Sequence, residues 1–266
     1  MQVSRSSYYE WRASDKRRSI EEVMLRSKLH LLFEKSRKTY GARRLVKALN
    51  AEGYKVGRFK VRSLMKELKF EVRYPKRFKV TTDSNHSLEV VPNILNRRFN
   101  PTKPNEVWTT DISYVWTLEG WIYVAVVIDL YSRQVVGWAV DEHMKTSLCV
   151  KALQMAYWRK KPKNGLVHHS DRGSQYASHC YREQLKIMGM IPSMSRKGNC
   201  WDNSPTERFF RSLKSEHLNY EKFIHKSVAK LSIVDYIAFY NGQRIHSTLG
   251  YITPITFEQV FYYRTA

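Results

Sequence analysis

The feature that most restricts the fold of this 266-residue chain is a block of three β-rich runs near its middle. The runs read VWTTDISYVW from residue 107, WIYVAVVIDLYS from residue 121 and QVVGWAV from residue 134. Turn signals at Glu119-Gly120 and Ser132-Arg133 separate them, and short turns of this kind connect antiparallel strands. We therefore expect a three-stranded antiparallel meander.

After the meander the chain alternates between helical and strand patterns. Helices are predicted at 145–159, 177–188 and 205–216, and short strands at 166–170 and 191–195. Alternation of this kind adds strands of mixed direction to a sheet and covers the sheet with helices. The predicted core is therefore α/β, a mixed five-stranded sheet with flanking helices in the order found in ribonuclease-H-like folds. One more helix is expected at 228–240, before a Tyr- and Arg-rich tail.

The first part of the chain is predicted to be helical and is strongly basic. An amphipathic helix is expected at 20–36, and apolar residues at helical spacing on both sides of Gly53 indicate a helix-turn-helix. Residues 1–100 hold 25 Lys and Arg against 10 Asp and Glu, so we expect this region to bind DNA. A plain helical hairpin with a solvated basic face is the alternative. The candidate DNA contacts are Arg43, Arg44, Arg58, Lys60 and Arg62.

These patterns divide the chain into four predicted parts. A helical DNA-binding domain covers residues 1–75, a linker 76–104, the catalytic core 105–220 and a helical C-terminal tail 221–266. The linker is rich in Pro, Asn, Thr and Lys and has no hydrophobic periodicity.

Net charge and cysteine content exclude several classes of protein. The formal charge is +22 and the isoelectric point is about 9.9, which favours polyanionic partners such as DNA. The three cysteines are far apart, so neither a disulfide framework nor a zinc site built from paired cysteines is expected, and a reducing cytosol suits the chain. No run of about 18 apolar residues is present, so no membrane association is expected.

Three acidic residues from separate segments are candidates for metal-dependent phosphodiester chemistry. Asp111 lies among apolar residues of the first strand, where a carboxylate is costly unless it is paired or metal-bound. Asp171 follows the fourth strand, which neighbours the first strand in this fold. Glu207 lies in the first turn of the helix that begins near Pro205. Carboxylates are the ligands of the paired Mg²⁺ ions that catalyse phosphoryl transfer.

The helix that carries Glu207 also presents two cations. Arg211 and Lys214 follow at +4 and +7 and share its face, whereas Phe209 and Phe210 lie on the opposite side, toward the core. Both cations suit DNA phosphates near the reacting end. Taken alone, the spacing of Glu207 and Arg211 is better explained by an ordinary i,i+4 salt bridge.

Spacing and local motifs add a family resemblance. Between Asp171 and Glu207 lie 35 residues, and between Asp111 and Asp171 lie 59. The 35-residue spacing resembles that of DDE transposases and retroviral integrases. The segments WTTDISY, IDLYSRQVVGWA, HSDRGSQY, SMSRKGNCWDNSPTERFF, LKSE and YNGQRIHSTLGYITPITF resemble, in this order, the second-frame (OrfB) product of the insertion-sequence-three family of bacterial transposases. The likeness extends from about residue 3 to residue 257.

The resemblance implies a DDE transposase that cleaves the 3′ ends of an insertion sequence and transfers the freed strands. It implies that Asp111, Asp171 and Glu207 hold two Mg²⁺ ions, with Mn²⁺ as a substitute. The implied partners are double-stranded DNA (terminal inverted repeats and target), further copies of the chain on that DNA, and the upstream-frame protein of the same element. A bacterial cytosolic location at the nucleoid follows, and zinc is not expected.

Further DNA contacts are predicted near the three acids. Gln175 and Tyr176 follow the second aspartate closely, and the basic loop before the third core helix is a second candidate. For Arg244 and His246, in YNGQRIHSTLGY, packing of the tail is an equal alternative to DNA contact. The loop candidates are Arg196, Lys197 and Asn199.

Two other functions stay open at this point. A DNA-binding regulator with an inactive core would share most of these features, although the intact set of three acids disfavours it. A ribonuclease or junction-resolving nuclease of the same fold would use a fourth acid, for which Asp129 and Asp202 are the candidates. For Asp202 we expect hydrogen bonds to backbone amides of its own loop instead.

Overall fold

Residues 4–13, 20–73 and 90–265 are described by the structure, a computed structural model. The chain forms two compact units, Met1–Val72 and Arg73–Ala266. The first half of the predicted linker lies outside the described residues. The four domain ranges inferred from the sequence stay a prediction.

The first unit contains four helices in its described part. They are α1 (Arg5–Ala13), α2 (Ile20–Lys35), α3 (Ala42–Ala51) and α4 (Arg58–Glu67). Leu29, Leu45, Leu49 and Val61 are fully buried, so α2, α3 and α4 share one apolar core. The turn between α3 and α4 uses Gly53 at a φ of +90°, a conformation that favours glycine. This arrangement confirms the predicted helix-turn-helix.

The second unit is built on a five-stranded sheet. The strands are β1 (Val107–Thr117), β2 (Gly120–Asp129), β3 (Val135–Asp141), β4 (Val167–Ser170) and β5 (Ile191–Met194). Their order is β3-β2-β1-β4-β5, with antiparallel pairing among the first three strands and parallel pairing of β4 with β1 and β5. Both the antiparallel meander and the mixed five-stranded sheet are confirmed.

Helices cover both faces of this sheet. On one face lie α5 (Thr146–Lys160), α6 (Ser174–Ala177) and α7 (His179–Ile187), and on the other α8 (Ser204–Glu216) and α9 (Lys226–Gly242). Side chains alternate along a strand, so Trp108 of β1 packs on the α5 face and Val115 on the α8 face. The predicted α/β class with flanking helices is confirmed.

The C-terminal region packs against this unit. α9 is longer at both ends than the predicted helix, and α10 (Pro254–Thr265) occupies the stretch interpreted as a Tyr- and Arg-rich tail. The Asn241 side chain accepts from the Val135 amide at 2.9 Å and donates to the Val135 carbonyl oxygen at 2.9 Å, which fixes α9 to β3. Lys160 Nζ lies 2.7 Å from Glu258 and joins α5 to α10.

Candidate active site

Asp111 and Asp171 come from adjacent parallel strands. Thr109 of β1 lies opposite His169 of β4 in the parallel ladder. Asp111 and Asp171 each lie two residues further along the chain, Asp111 within β1 and Asp171 directly after the end of β4. Because parallel strands advance together, this register brings both aspartates to the same level of the sheet. The prediction that the first and fourth strands are neighbours is confirmed.

Hydrogen bonds from α8 to β1 hold Glu207 near these aspartates. Asn203 Nδ2 donates to the Thr110 carbonyl oxygen at 3.0 Å, and the Thr206 hydroxyl is hydrogen-bonded to the Thr109 hydroxyl at 2.7 Å. Asn203 and Thr206 are buried, and Glu207 follows Thr206 directly. The two threonines of β1 immediately precede the strand aspartate. The first turn of α8 is therefore attached to the part of β1 that carries that aspartate.

The role of Asn203 and Thr206 is not visible in the sequence alone. Asn203 is the residue before the first turn of α8, but its side chain makes no capping hydrogen bond. Its Oδ1 is instead 3.0 Å from the Thr206 hydroxyl. Pro205 and Glu207 lie in the first turn as predicted. In the sequence, Asn203 and Thr206 belong to a run of mostly small polar residues directly before Glu207, and such runs also occur at ordinary helix N-termini.

The three carboxyl groups influence one another. Loss of hydration raises the pKa of Asp111 well above its ordinary value, and the nearby charges of Asp171 and Glu207 raise it further. The Glu207 side chain reaches the surface, yet partial loss of hydration beside the site raises its pKa, and the charge of Asp171 adds to this effect. Like charges oppose ionisation when they are held near one another. The structure thus brings together the three acids that the sequence singles out.

This donor set fits a hard divalent cation. Carboxylate oxygens are the ligands that Mg²⁺ prefers, and a cation among three mutually repelling carboxylates relieves their repulsion. Across residues 4–13, 20–73 and 90–265, no three His, Cys, Asp or Glu side chains are close enough to form a complete metal site.

The exposed face of α8 extends the site away from the acids. Glu207 and Arg211 are exposed, while the two phenylalanines of the helix are buried as predicted. Lys214 is half-buried, and its Nζ lies 4.6 Å from the centre of the Tyr114 ring. Burial lowers the pKa of Lys214, whereas Tyr114 and Asp111 oppose that shift. The Lys214 ammonium group therefore lies at the edge of the acidic site, next to the Tyr114 ring.

Family models and related sequences now decide to which family the chain belongs. Models described as integrase core domain match residues 101–200 and 188–254, and one described as HTH-like domain matches residues 21–78. The transposase InsF for insertion sequence IS3A of Escherichia coli K12 is 38% identical over 97% of this chain and 91% of its own length. The chain belongs to the IS3 family of transposases. The resemblance stated from sequence motifs is confirmed.

A second relative agrees with this assignment. The insertion element IS600 uncharacterized 31 kDa protein of Shigella sonnei is 44% identical over 99% of the transposase chain and 98% of its own length. The integrase core and the transposase relatives make this chain an enzyme, a polynucleotidyl transferase of the DDE type. The helix-turn-helix model in its first unit indicates DNA binding.

A solved structure shares the fold of the transposase. A chain of the simian T-cell lymphotropic virus intasome in complex with PP2A regulatory subunit B56 gamma, determined by cryo-electron microscopy, matches with a TM-score of 0.52. The match has 15% identity and covers 80% of the transposase and 69% of that chain. At this identity the likeness concerns the fold alone, and it agrees with the predicted ribonuclease-H-like core. In the described ranges, no helix has the length and apolar character needed to cross a membrane.

The two candidate fourth acids of the transposase have other partners. Asp202 is fully buried and accepts hydrogen bonds from Arg196 Nη2 at 2.7 Å and from Arg97 Nε at 2.8 Å. These guanidinium groups hold the pKa of Asp202 well below its ordinary value. Asp129 accepts from the Asn105 amide at 2.6 Å. The expected backbone hydrogen bond to Asp202 is present, from the Arg196 amide at 3.0 Å, and the two arginine side chains are partners that the sequence did not reveal.

The basic loop before α8 is partly engaged in this cluster. The Arg196 side chain is half exposed although it pairs with Asp202. Asn199 Oδ1 accepts from Arg97 Nη2 at 2.9 Å, and Lys197 is exposed. Of the three predicted loop contacts, Lys197 is thus the most open to a DNA phosphate, while Arg196 and Asn199 also maintain the shape of the loop.

The structure corrects the prediction for Tyr176. Its ring is buried on the α5 face of the sheet, and its hydroxyl lies 3.2 Å from the Thr110 hydroxyl. A side chain buried in the core cannot reach DNA, and burial raises its pKa well above the ordinary value. Gln175 is half-buried and donates from Nε2 to the Met144 carbonyl oxygen at 3.1 Å.

The structure also corrects the DNA-contact interpretation of Arg244 and His246. Arg244 is buried, and its Nη2 and Nε atoms donate to the two Glu216 oxygens at 2.6 Å and 2.7 Å. The Tyr236 hydroxyl donates to the same carboxylate at 2.8 Å. His246 is buried against Tyr240, with its Nε2 3.2 Å from Arg244 Nη1. Packing of the C-terminal region, the alternative left open above, accounts for both residues.

The predicted contacts in the first unit differ in their surroundings. Four of the five candidates are exposed: Arg43, Arg58, Lys60 and Arg62. The Arg44 guanidinium lies 5.5 Å from the centre of the Tyr40 ring. Lys60 Nζ lies 3.2 Å from Glu22, which offsets part of its charge. The three exposed arginines are therefore the candidates most accessible to DNA phosphates.

Proposed function

We propose that the transposase cleaves the 3′ ends of its insertion sequence and joins them to a second strand by two-metal-ion catalysis. Asp111, Asp171 and Glu207 are the proposed ligands of the two divalent ions. The observation that carries this proposal is the convergence of three carboxyl groups from β1, the end of β4 and α8, with raised pKa values for Asp111 and Glu207.

The protein's own part in the reaction is to hold these carboxylates in place. Asp111 Oδ1 accepts from the Ile112 amide at 2.8 Å, and Asp171 Oδ1 accepts from the Gly173 amide at 2.9 Å. Each aspartate therefore has one oxygen oriented by a nearby backbone amide. Glu207 comes from a helix attached to β1, so helix and sheet position the set together.

The chemistry needs no nucleophile from a side chain. When bound, the two Mg²⁺ ions, or Mn²⁺ in their place, activate the attacking oxygen and stabilise the leaving oxygen. Water is the nucleophile in cleavage, and the freed 3′-hydroxyl is the nucleophile in strand transfer. Arg211 and Lys214 continue the same helix face and are proposed to bind phosphates of the reacting strand.

The proposed substrates are the terminal inverted repeats of the element and a target duplex. The helix-turn-helix and the net charge of +22 support binding to duplex DNA. Because two ends are joined, we propose a dimer or larger assembly on DNA. The upstream-frame protein of the same element is a proposed further partner.

The experiment compares the wild-type chain with Glu207→Gln on labelled duplexes that carry the ends of the element encoding it. With Mg²⁺, the wild type is expected to nick and join these duplexes, and Glu207→Gln to lose both activities by at least about a hundredfold. Both proteins should shift the duplexes equally in a gel, because the substitution leaves the helix-turn-helix unchanged.

Glu183→Gln on α7 is the matched control, since it removes a partly exposed glutamate outside the site. It should retain wild-type cleavage. Joining activity that survives in Glu207→Gln would remove Glu207 from the proposed ligand set. A wild-type chain that binds the ends but cuts nothing with Mg²⁺ or Mn²⁺ would favour the DNA-binding regulator.

A further inference from the structure

A large apolar side chain stands on the outward surface of α4. Phe59 is 86% exposed, although α4 buries Val61, Leu64 and Met65 in the core of the first unit. A phenylalanine contributes to stability through buried area, and at this exposure it contributes little. Single exposed apolar residues are common, so the surroundings of the ring decide whether it has a function.

Helical geometry directs Phe59 away from the core. At about 100° per residue, the three buried positions of α4 centre on one side of the helix, and position 59 lies almost diametrically opposite. Arg62, Ser63 and Lys66 are exposed and lie within about 60° of Phe59. The outward face of α4, defined by these four residues, therefore combines one aromatic ring, two cations and a hydroxyl.

The acids near α4 lie to one side of this face. Glu67, on the flank of the helix, pairs with Arg26 at 2.8 Å. Glu22 of α2 pairs with Arg26 and with Lys60, also on the flank. None of the four residues of the outward face is acidic, so that face carries net positive charge. It complements a polyanion and offers an aromatic ring at its centre.

We propose that Phe59 is a specificity-determining residue of the transposase, and that its ring contacts the 5-methyl group of a thymine in the major groove. The inference rests on the proposed function, because it takes duplex DNA as the ligand of the first unit. α4 is the second helix of the helix-turn-helix, and residues near the start of such a helix contact base edges. Phe59 is the second residue of α4.

Thymine is the base that matches this ring. Phosphates bind cations and carry no sequence information, which is the part we assign to Arg62 and Lys66. A phenyl ring cannot donate or accept an ordinary hydrogen bond to a base edge. The thymine methyl is the apolar group that the major groove exposes, and phenylalanine is among the side chains that contact it.

The experiment uses the full chain and DNA selected from a random duplex pool. In the selected sequence, each thymine is replaced in turn by deoxyuridine, which removes only the methyl group. For one or two thymines the wild type should lose about fourfold in affinity, the effect of burying one methyl group. Phe59→Ala should bind more weakly and should show no further loss at those positions, while Phe59→Leu should retain part of the discrimination.

Two further variants separate this role from general effects. Leu231→Ala removes another exposed apolar side chain, on α9, and should behave as the wild type. Arg62→Ala should weaken binding to all sequences alike and reduce its dependence on salt. The circular dichroism spectrum should be the same for all variants, because both apolar side chains are exposed.

Three results would overturn the inference. One is selection of no preferred sequence by the wild type. Another is equal sensitivity of Phe59→Ala and the wild type to deoxyuridine. The third is a Phe59→Ala variant that changes self-association and leaves sequence discrimination intact. None of these depends on cleavage, so a failure of Phe59 is distinguishable from a failure of the metal-dependent reaction, which Glu207→Gln tests.

Discussion

The position of Glu207 depends on individual hydrogen bonds made by the residue before it. The sequence places this acid in the first turn of a helix, but a helix can rotate or slide on a sheet. The Thr206 hydroxyl bonds to the Thr109 hydroxyl at 2.7 Å and to Asn203 Oδ1 at 3.0 Å, and it is fully buried. One hydroxyl thus connects the residue before Glu207 to the strand that carries Asp111.

Removing that hydroxyl should weaken both stability and catalysis. Thr206→Val keeps the shape but leaves two buried polar partners unsatisfied, so we expect a loss of about 1–3 kcal/mol in the free energy of unfolding. End cleavage should fall about tenfold or more, because small displacements of a catalytic group are costly, while DNA binding should be unchanged. Urea denaturation, cleavage assays and gel shifts measure the three quantities.

Thr206→Ser is the control, since it retains the hydroxyl and should keep most of the cleavage activity. If Thr206→Val cleaved DNA as fast as the wild type, this hydrogen bond would have no part in positioning Glu207.

At the scale of elements, the distance between α5 and the sheet depends on one glycine. A Cβ atom built at Gly137 of β3 would lie 2.2 Å from the Ala152 carbonyl oxygen and 2.7 Å from the Ala156 Cβ. Ala152 and Ala156 are fully buried on the facing side of α5. Three small residues therefore allow strand and helix backbones to approach closely, and backbone atoms cannot move aside as a flexible side chain can.

Gly137→Ala should force α5 away from β3. We expect a loss of about 1–3 kcal/mol in the free energy of unfolding, typical of overpacking, measured by urea or thermal denaturation. Gly242→Ala is the control in the same unit, because its added Cβ would lie 3.9 Å from the nearest neighbouring atom, Ile255 Cδ1. That control should be as stable as the wild type or slightly more so. Equal stability of the two variants would show that the approach of α5 is not limiting.

The whole molecule should lose stability in mild acid because it buries neutral histidines. Burial lowers the pKa of His168 to about 3, and the neighbouring His169 adds to this shift. The Tyr181 hydroxyl lies 3.2 Å from the Nε2 of His168. An unfolded histidine binds a proton near pH 6.5, so below that pH the unfolded chain binds a proton that the folded chain excludes.

The sign of the effect follows from this difference. The stabilising contribution is complete above about pH 6.5 and decreases as the pH falls toward 3, by roughly 1.4 kcal/mol per pH unit for one histidine. Urea denaturation of the wild type at pH 7.5 and 5.5 should reveal this loss, and His168→Gln should show a smaller one. The exposed His143→Gln should match the wild type. An unchanged pH dependence in His168→Gln would assign the loss to other groups.

Periodic patterns made most of this architecture predictable. The β-rich runs, the helices of the core and the helix-turn-helix all follow from spacing of apolar residues, which local geometry imposes. The helical character of the C-terminal tail is confirmed, but the bounds of α10 do not follow from PITFEQVFYYRT, which contains β-branched and aromatic residues of low helix propensity. In the folded chain the Tyr131 ring contacts the Phe257 and Phe261 rings of this helix, and Glu258 pairs with Lys160.

What the sequence determined by itself is the choice of the three candidate acids, since motif and spacing select Asp111, Asp171 and Glu207 among 24 Asp and Glu. What only the tertiary structure decided is which charged and polar groups meet. Arg244 is enclosed with Glu216 and Asp202 with two arginines, although the sequence left both open to other roles. The physical reason is that periodicity reports which face of an element is buried, whereas the partner of a buried polar group comes from a distant segment.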